Sequence, residues 1–367
     1  MNFLGSVGGA RPRRCFMLTA ESGPMSPPSS SPCSGAEPRQ RSTGGHPAMN
    51  ALPLSSPVWP HPVWHDCDPG SDDAITLLTL LGRPDTQVLG VGTTHGNAPL
   101  SATTHNARAL LTLAGRDDVP VYAGALTPLV REPVYAPQIH GVGGLGNVPL
   151  PPPGRPAQTE HAALALIRQL CAQPGEITVL ATGPLTNLAL AERLRPGVLK
   201  EARQVIVMGG SLEVGAPRLG NTTPRAEFNA YADPHAFQVV LSAGAKLALL
   251  GLNLTRQVRV TRERAAQLAA VGTAAGRTCA ALLDDYLDRI GKLGQSVGAL
   301  HDPCTAALLL APQLFELEPA SIGTLLDSGE HFGETVRRDA EPNLELVIRA
   351  DEDGIYDLIA AALARLP

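Results

Sequence analysis

The chain carries the segment His65-Asp66-Cys67-Asp68-Pro69-Gly70-Ser71-Asp72-Asp73-Ala74, which holds four carboxylates within eight positions. The apolar run just before it, residues 62–64, is typical of a short buried strand. Apolar residues at helical spacing over 74–81 predict a helix after it. Asp68 therefore closes the predicted strand, and the last two aspartates lie in the first turn of the predicted helix.

Four like charges at this spacing raise one another's pKa and leave some of the carboxyls protonated unless a cation balances them. A helix N-terminus supplies only a partial positive charge. Oxygen-only ligation favours a hard divalent cation, calcium or magnesium, over zinc. The alternative is an acidic N-cap cluster without an ion, but capping accounts for one or two of these residues and not for four. The segment therefore predicts a metal site.

Two other acidic motifs were compared with this segment. An EF-hand loop needs oxygen ligands at its first, third and fifth positions and a Glu at the twelfth. Counted from Asp66, the fifth position is Gly70 and the twelfth is Leu77, which excludes an EF-hand. Phosphatases with an aspartyl nucleophile also begin with two alternating aspartates, but they need a lysine as well. The chain offers three lysines, Lys200, Lys246 and Lys292. This second reading stays as a remote alternative.

The composition indicates one large α/β domain that acts on a small molecule. The chain has 367 residues, of which 44% are hydrophobic and 17% are charged. A net charge of -5 offers no basic surface for nucleic acid. We expect neither a membrane span nor a secretory signal, since no apolar run has the required length. Six cysteines without CxxC spacing favour reduced thiols and a cytoplasmic location.

The N-terminal segment differs in composition from the rest of the chain. Its Ser- and Pro-rich run over residues 26–32 cannot bury a core. We therefore expect residues 1–57 to form a disordered extension, or to reflect a mis-assigned start, with Met25 and Met49 as alternative first residues. The folded domain is expected over residues 58–367.

Five apolar runs predict strands, with helical patterns between them. They are Val63–Asp68, Val88–Thr94, Ile177–Thr182, Val205–Met208 and Leu247–Leu252. Continuous apolar strands that alternate with helices predict an α/β fold with a mostly parallel central sheet covered by helices. Ligands bind beyond the carboxyl ends of such strands. Asp68, Asn97 and Thr182 stand at these ends.

Two further segments carry polar groups suited to a site. The loop 220–229 contains Asn221, Glu227 and Asn229 between turn residues. Amides and a carboxylate suit the hydroxyls of a sugar because they can donate and accept hydrogen bonds. The alternative is a loop that satisfies its own backbone. The second segment, His301-Asp302-Pro303, precedes an apolar helix and offers an acid-base group beside a carboxylate.

Taken in order, these motifs resemble the inosine-uridine preferring nucleoside hydrolase family from about residue 62 to the C-terminus. The matching motifs are 66–74, Gly96-Asn97, His140-Gly141, 181–187, Met208-Gly209-Gly210, Glu227-Phe228-Asn229 and His301-Asp302-Pro303. The first motif is highly specific to the family, and the last supports it independently. The resemblance implies the family's fold and the hydrolysis of the N-glycosidic bond of ribonucleosides to ribose and free base.

The resemblance also implies roles for individual residues. The implied ligands of a calcium ion are Asp68, Asp73, Asp302 and the main-chain carbonyl of Thr182, with Asp68 also the general base for a bound water. The residues implied to hold the ribose hydroxyls are Asp72, Asn97, Asn221, Glu227 and Asn229. His301 would stand near the leaving base, and Asp66 would support the metal ligands from behind.

Two more positions carry over from the family. His140 lies in a loop that the family places near the sugar, although residues 142–145 lack the acidic residue that the family often has there. Tyr286 falls about where the family places aromatic contacts to the base. A tyrosine on the surface of a half-buried helix is the alternative for this residue.

Three functions stay open from the sequence. They are an active ribonucleoside hydrolase, a non-catalytic or divergent riboside-binding member of the family, and the aspartyl phosphatase. All of the implied hydrolase ligands are present. The preference between purine and pyrimidine bases stays open. Because members of the family are commonly dimers or tetramers, we expect a homodimer or homotetramer that acts in nucleoside salvage.

Overall fold

The computed structural model of the protein describes residues 60–212, 220–327 and 329–367. These residues belong to one compact unit. The extension expected over residues 1–57 lies outside the described residues. The domain boundary at residue 58 therefore stays a prediction.

The described residues form twelve β-strands and twelve α-helices. The strands are β1 (His61–Cys67), β2 (Thr86–Thr93), β3 (Val121–Ala123), β4 (Thr178–Ala181), β5 (Gln204–Met208), β6 (Leu247–Leu250), β7 (Arg259–Val260), β8 (Gly298–Ala299), β9 (Phe315–Ala320), β10 (Ile322–Thr324), β11 (Thr335–Arg337) and β12 (Leu344–Ala350). The helices are α1 (Ser71–Leu81), α2 (Leu100–Leu113), α3 (Pro137–His140), α4 (Ala162–Ala172), α5 (Thr186–Leu194), α6 (Phe228–Ala232), α7 (Pro234–Leu241), α8 (Leu252–Thr255), α9 (Arg262–Ala269), α10 (Ala274–Lys292), α11 (Pro303–Leu310) and α12 (Glu352–Leu363).

Eight strands form the central sheet, in the order β3-β2-β1-β4-β5-β6-β12-β9. Neighbouring strands are parallel except for β9, which pairs with β12 in the antiparallel direction. The prediction of an α/β fold with a mostly parallel sheet is confirmed. Two short antiparallel pairs, β7-β8 and β10-β11, lie outside the sheet.

Strand β1 shows why the sheet is covered on both faces. Successive side chains of a strand point to opposite faces. Val63 and Cys67 belong to one hydrophobic core cluster, whereas Trp64 belongs to a second. Helix α1 is buried along nearly its whole length and packs into the first cluster through Ile75 and Leu78. A strand buried on both faces accounts for the continuous apolar runs of the sequence.

The five predicted strands correspond to β1, β2, β4, β5 and β6, with ends that agree within two residues. The sequence reasoning missed the three other strands of the sheet, β3, β9 and β12. Strand β3 has only three residues, and β9 is an edge strand that contains Pro319 and exposes several side chains. Neither has a continuous apolar run like those that predicted the five other strands.

The strand order reverses between β1 and β4, which are both central and lie side by side. β1 is followed in sequence by the outer strands β2 and β3, and β4 is followed by strands on the other side. In open α/β sheets, ligands bind at the carboxyl ends of the strands at such a point. The chain segments that follow β1 and β4 carry Asp68 and Thr182.

Among the described residues, no helix combines the length and the apolar character that a membrane crossing requires.

Candidate active site

The first turn of α1 and the start of α11 bring three carboxylates together. Asp72, Asp73 and Asp302 each offer a carboxylate oxygen, and these oxygens lie within 4.8 Å of one another. Asp73 and Asp302 are buried, and Asp72 is half-buried. Burial and the charges of the neighbouring aspartates raise the pKa of Asp302 well above its usual range. Burial, followed by the charge of Asp72, also raises the pKa of Asp73.

Asp68 lies at the carboxyl end of β1 and is fully buried. Its Oδ2 accepts a hydrogen bond from the backbone N–H of Asn97 at 2.6 Å. Its Oδ1 is buried and has no hydrogen-bond partner among the described residues. Burial, followed by the charge of Asp73, raises the pKa of Asp68 well above its usual range. A buried oxygen without a partner is costly, so this oxygen calls for a positively charged neighbour.

Two glycines leave the space that the Asp68 carboxylate occupies. A Cβ atom at Gly96 would collide with Asp68 Oδ2, and a Cβ atom at Gly183 would lie 2.7 Å from Asp68 Oδ1. The backbone of both neighbouring loops therefore approaches the carboxylate closely. This close approach explains why Gly precedes Asn97 and follows Thr182 in the two motifs.

Three hydrogen bonds orient the carboxylate of Asp73. The backbone N–H of Gly70 donates to Oδ2 at 2.9 Å, and the side-chain amide of Asn97 donates to the same oxygen at 3.1 Å. The hydroxyl of Thr182 donates to Oδ1 at 2.7 Å. The carboxylate is thus held from both sides before any ion binds.

These residues fit a hard divalent cation. The Asp68 oxygen without a partner and the three carboxylates within 4.8 Å supply oxygen ligands and excess negative charge. The main-chain carbonyl of Thr182 accepts a hydrogen bond from the side-chain amide of Asn229 at 2.7 Å, which leaves one lone pair for a metal. A second close group, His65, Cys67 and Asp73, is fully buried and mixes nitrogen, sulfur and oxygen donors.

A cavity of about 860 Å³ opens beside the carboxylates. Most of the residues singled out from the sequence line it: Asp72, Asn97, His140, Thr182, Asn221, Glu227, Asn229, Tyr286, His301 and Asp302. Asp68 and Asp73 lie behind this wall and bond to it through Asn97. The structure therefore brings the predicted metal ligands and the predicted substrate-binding residues to one place.

The carboxylate of Glu227 caps helix α6 at one wall of the cavity. Its Oε1 accepts the backbone N–H of Asn229 at 2.9 Å, and its Oε2 accepts those of Gly210 and Ala230 at 2.9 and 3.0 Å. Burial raises the pKa of Glu227 to about 7, although these N–H groups oppose the shift. Asn221, in contrast, is exposed at the cavity wall.

Three ring-bearing side chains line another part of the cavity. The Nδ1 atom of His301 lies 2.8 Å from the hydroxyl of Thr255, and burial lowers the pKa of His301. The Nδ1 atom of His140 accepts a backbone N–H from α1 at 3.2 Å, and burial lowers its pKa as well. The hydroxyl of Tyr286 is also buried, which raises its pKa to about 12. Both histidines line the cavity and use Nδ1, not Nε2, in these hydrogen bonds.

Comparison with known proteins agrees with this geometry. A sequence model of the inosine-uridine preferring nucleoside hydrolases matches residues 63–357. The chain belongs to this family. An uncharacterized protein of Schizosaccharomyces pombe is 39% identical over 309 residues, which cover 82% of this chain and 98% of that protein. The pyrimidine-specific ribonucleoside hydrolase RihA of Citrobacter koseri is 36% identical over 310 residues, which cover 83% of this chain and 98% of that protein.

Solved structures show the same relationship. The plant nucleoside hydrolase PpNRh1 superposes with a TM-score of 0.78 at 31% identity, covering 83% of this chain and 99% of that chain. The family prediction is confirmed, and the nucleoside hydrolase fold with it. The nucleoside hydrolases are enzymes that cleave N-glycosidic bonds.

The phosphatase alternative finds no support in this nucleoside hydrolase. Its nucleophile would need a lysine nearby. No lysine is among the residues that line the cavity within the described chain, and all three lysines are exposed.

Asp66 occupies a different place from the other aspartates of its motif. Its carboxylate accepts hydrogen bonds from Asn187 at 3.2 Å and from the indole of Trp64 at 3.4 Å. Burial raises its pKa to about 7. Its main-chain carbonyl accepts the N–H of Thr182 at 2.9 Å. Asp66 thus contacts the cluster through the backbone of Thr182 rather than through its carboxylate.

Sequence reasoning missed three polar side chains that contact site residues of this nucleoside hydrolase. The hydroxyl of Thr182 bonds to Asp73, the imidazole of His65 bonds to that hydroxyl at 3.1 Å, and Thr255 bonds to His301. Strand alternation could have predicted part of this arrangement, because it places the side chains of His65 and Cys67 on the opposite face of β1 from that of Asp66. Nothing in the local sequence marked Thr255.

Proposed function

We propose that this nucleoside hydrolase holds Ca²⁺ with Asp68, Asp73, Asp302 and the carbonyl of Thr182, and that Asp68 acts as the general base. The observation that carries the proposal is the Oδ1 atom of Asp68. It is buried, has no hydrogen-bond partner among the described residues, and belongs to a residue whose pKa is raised by burial and by Asp73. A carboxylate with a raised pKa is a better proton acceptor than an ordinary aspartate.

The bound calcium would supply a positive charge that balances the aspartates, a template for the ribose diol and a coordinated water. Asp68, besides holding the ion, would be the residue that accepts a proton from a water bound there. The backbone N–H of Asn97 and the two adjacent glycines would keep the carboxylate in place. Calcium is preferred over magnesium because the donors include a main-chain carbonyl and several carboxylates from separate chain segments.

The polar wall of the cavity suits the ribose. Asp72, Asn97, Asn221, Glu227 and Asn229 line it and would bind the sugar hydroxyls. The carboxylates around the sugar would also favour the positive charge that develops on the ribose when the N-glycosidic bond breaks. Asp66 would act from behind, through the backbone of Thr182.

The ring-bearing part of the cavity suits the leaving base. His301 would donate a hydrogen bond from Nε2 to the departing base, and Tyr286 and His140 would contact the substrate. The Thr255 hydroxyl fixes Nδ1 of His301, so the opposite nitrogen faces the cavity. The RihA relatives named as pyrimidine-specific support uridine as a substrate. Inosine is the matching purine nucleoside.

The test is the release of ribose from uridine and from inosine by the purified protein. We expect release from at least one of them, and a loss of 100-fold or more in Asp68→Asn, within the usual range for removal of a general base. Asp233→Asn is the matched control, since Asp233 is equally buried but caps helix α7 through Ala236 and bonds to Thr186. Bound calcium without ribose release from either nucleoside would favour a non-catalytic riboside-binding role.

We also propose a cytoplasmic homodimer or homotetramer whose products enter nucleoside salvage. The compartment is supported by the cysteines of the described chain, Cys67, Cys171, Cys279 and Cys304, all of which are free thiols. Light scattering of the purified full-length chain tests the oligomeric state. A monomer at micromolar concentration would contradict it.

A further inference from the structure

His65 is a buried polar residue that the proposed reaction does not use. It lies on β1, next to the acidic motif, and is fully buried. Its Nε2 atom lies 3.1 Å from the hydroxyl oxygen of Thr182. That hydroxyl in turn lies 2.7 Å from Oδ1 of Asp73. The three side chains therefore form a hydrogen-bond network, His65–Thr182–Asp73, that runs from the core into the acidic cluster.

The direction of each hydrogen bond in this network follows from which side chain has a proton to donate. The Thr182 hydroxyl has one proton and two neighbours. A carboxylate that binds a metal ion is ionised and only accepts, so the hydroxyl of Thr182 donates its proton to Oδ1 of Asp73. The oxygen of Thr182 must then accept a hydrogen from Nε2 of His65. The imidazole consequently carries its proton on Nε2, which agrees with the absence of any hydrogen-bond partner for its Nδ1 among the described residues.

We propose that His65 is a positioning residue for the metal-binding carboxylate of Asp73. By donating from Nε2, it keeps the Thr182 hydroxyl in the one rotamer that donates to Asp73. This inference rests on the proposed function, because it assumes that Asp73 and the carbonyl of Thr182 are calcium ligands. His65 touches neither the substrate nor the ion.

The hydrogen-bond network restrains two proposed metal ligands, the carboxylate of Asp73 and the main-chain carbonyl of Thr182. Thr182 offers its main-chain carbonyl to the ion and its side chain to Asp73, so a fixed side chain also restrains the residue that carries the carbonyl. Without a donor at position 65, the Thr182 hydroxyl can rotate away and leave Asp73 Oδ1 unsupported. Partners that orient metal ligands in this way typically contribute 10- to 100-fold to metal affinity.

The fold supplies a matched pair for comparison. His95 bonds through Nε2 to the hydroxyl of Thr186 at 3.1 Å, and Thr186 donates to Asp233 at 2.7 Å. His95 is also fully buried and its Nδ1 also has no partner among the described residues. Asp233, however, caps a helix and is not among the carboxylates of the cluster. Both hydrogen-bond networks consist of a histidine, a threonine and an aspartate, but only the first ends at a proposed metal ligand.

The experiment is calorimetric titration of Ca²⁺ into metal-free full-length protein, without substrate. Its variants are His65→Leu, His65→Gln, Thr182→Val, the double variant His65→Leu/Thr182→Val, and His95→Leu as the control. We expect His65→Leu and Thr182→Val each to raise the Kd for calcium by about 10-fold or more. The amide of His65→Gln can still donate, so this variant should stay within about threefold of the parent. The double variant should resemble the single ones, and His95→Leu should leave the Kd within about twofold.

The outcomes separate this inference from the function on which it rests. A parent protein that binds no calcium would overturn the metal site and the role of His65 together. A parent that binds calcium, with an unchanged Kd in His65→Leu, would overturn the role of His65 alone. So would a double variant whose loss equals the product of the single losses, or a Gln variant as weak as the Leu variant. If His65→Leu does not fold by circular dichroism, Thr182→Val and His65→Gln carry the test.

Discussion

The backbone N–H of Asn97 donates to Asp68 Oδ2 at 2.6 Å, so the loop after β2 fixes the proposed general base. The side chain of the same asparagine donates to Asp73 Oδ2 at 3.1 Å and to the main-chain carbonyl of Asp68 at 3.2 Å. One residue therefore bonds to two carboxylates of the motif, Asp68 at the end of β1 and Asp73 in the first turn of α1. Asn97 was assigned to the ribose from the sequence, and the structure adds this second contact.

Truncation of the Asn97 side chain separates its backbone contact from its side-chain contacts. Asn97→Ala keeps the backbone bond to Asp68 Oδ2 but removes the side-chain bonds to Asp73 Oδ2 and to the carbonyl of Asp68. We expect kcat/KM for the better nucleoside to fall by about 10- to 100-fold, the range for partners of metal ligands. Asn343→Ala is the control, because its side-chain amide likewise donates two hydrogen bonds, in this case to the backbone carbonyls of Leu241 and Ile322. A similar loss of activity in both variants would contradict the role of Asn97.

Calcium should stabilise the fold as well as support the reaction. Asp68, Asp73 and Asp302 are buried together, so the metal-free protein either holds like charges or protonates them. Calcium at 100 times its Kd adds about 2.7 kcal/mol to the free energy of unfolding if it binds only the folded state. We expect a chelator to abolish ribose release and to lower Tm, and added calcium to restore both. The prediction fails if Tm is the same with chelator and with calcium.

The stability of the metal-free protein should depend on pH through Glu227. Burial raises its pKa from 4.5 in the unfolded chain to about 7 in the folded one. The folded state then binds more protons between these values, so the free energy of unfolding falls as pH rises from about 4.5 to about 7. Glu227→Gln cannot titrate and should lose this component, which amounts to about 3 kcal/mol. Urea denaturation of both proteins at pH 5 and pH 8 measures it, and equal pH slopes would contradict it.

The sequence predicted those parts of the fold and site that local patterns encode. Continuous apolar runs gave five central strands because a strand buried on both faces has no polar alternation. The acidic motif predicted a metal site because four neighbouring carboxylates are hard to explain without a cation, and three of the aspartates predicted as ligands or neighbours of the ion do lie together. Strands β3 and β9 were missed, since a strand of three residues and an edge strand with Pro319 carry no such pattern.

Contacts between distant segments were the part that sequence could not supply. His65 and Thr182 are 117 positions apart and meet only because β1 and β4 are neighbours in the sheet. Thr255 meets His301 only because α8 and the start of α11 approach the same cavity. The carboxylate of Asp66 likewise contacts Asn187, which lies 121 positions away on α5.

The proposed role of the ribose diol can be tested on the substrate. Chelation of both hydroxyls by the ion and their contacts with the polar wall require the 2'-hydroxyl. A nucleoside without it leaves buried polar groups unpaired, which typically costs 10⁴-fold or more in a site built to bind a hydroxyl. We expect kcat/KM for 2'-deoxyinosine and 2'-deoxyuridine to be lower than for the ribonucleosides by at least about 1000-fold. Comparable values for inosine and 2'-deoxyinosine would remove the diol from the mechanism.

The role of His301 depends on how much help the leaving group needs. Burial lowers its pKa, so the imidazole is neutral near pH 7 and acts through the N–H on Nε2. When Nε2 carries the proton, Nδ1 is an acceptor, so the hydroxyl of Thr255, 2.8 Å away, must donate to it. His301→Ala should lower kcat for inosine by about 100-fold or more, within the range for removal of one hydrogen-bond donor to developing negative charge. It should change kcat for p-nitrophenyl riboside by less than about threefold, because p-nitrophenolate leaves without a proton.

Thr255→Val provides the matching test at the other nitrogen of His301. It removes the hydroxyl while keeping the shape of the buried side chain, so the imidazole can take either tautomer. We expect it to lower kcat for inosine by a smaller factor than His301→Ala, again with little effect on p-nitrophenyl riboside. Equal losses on both substrates, in either variant, would mean that His301 and Thr255 shape the cavity rather than assist the leaving base. A loss confined to inosine would tie the Thr255 hydroxyl to departure of the base.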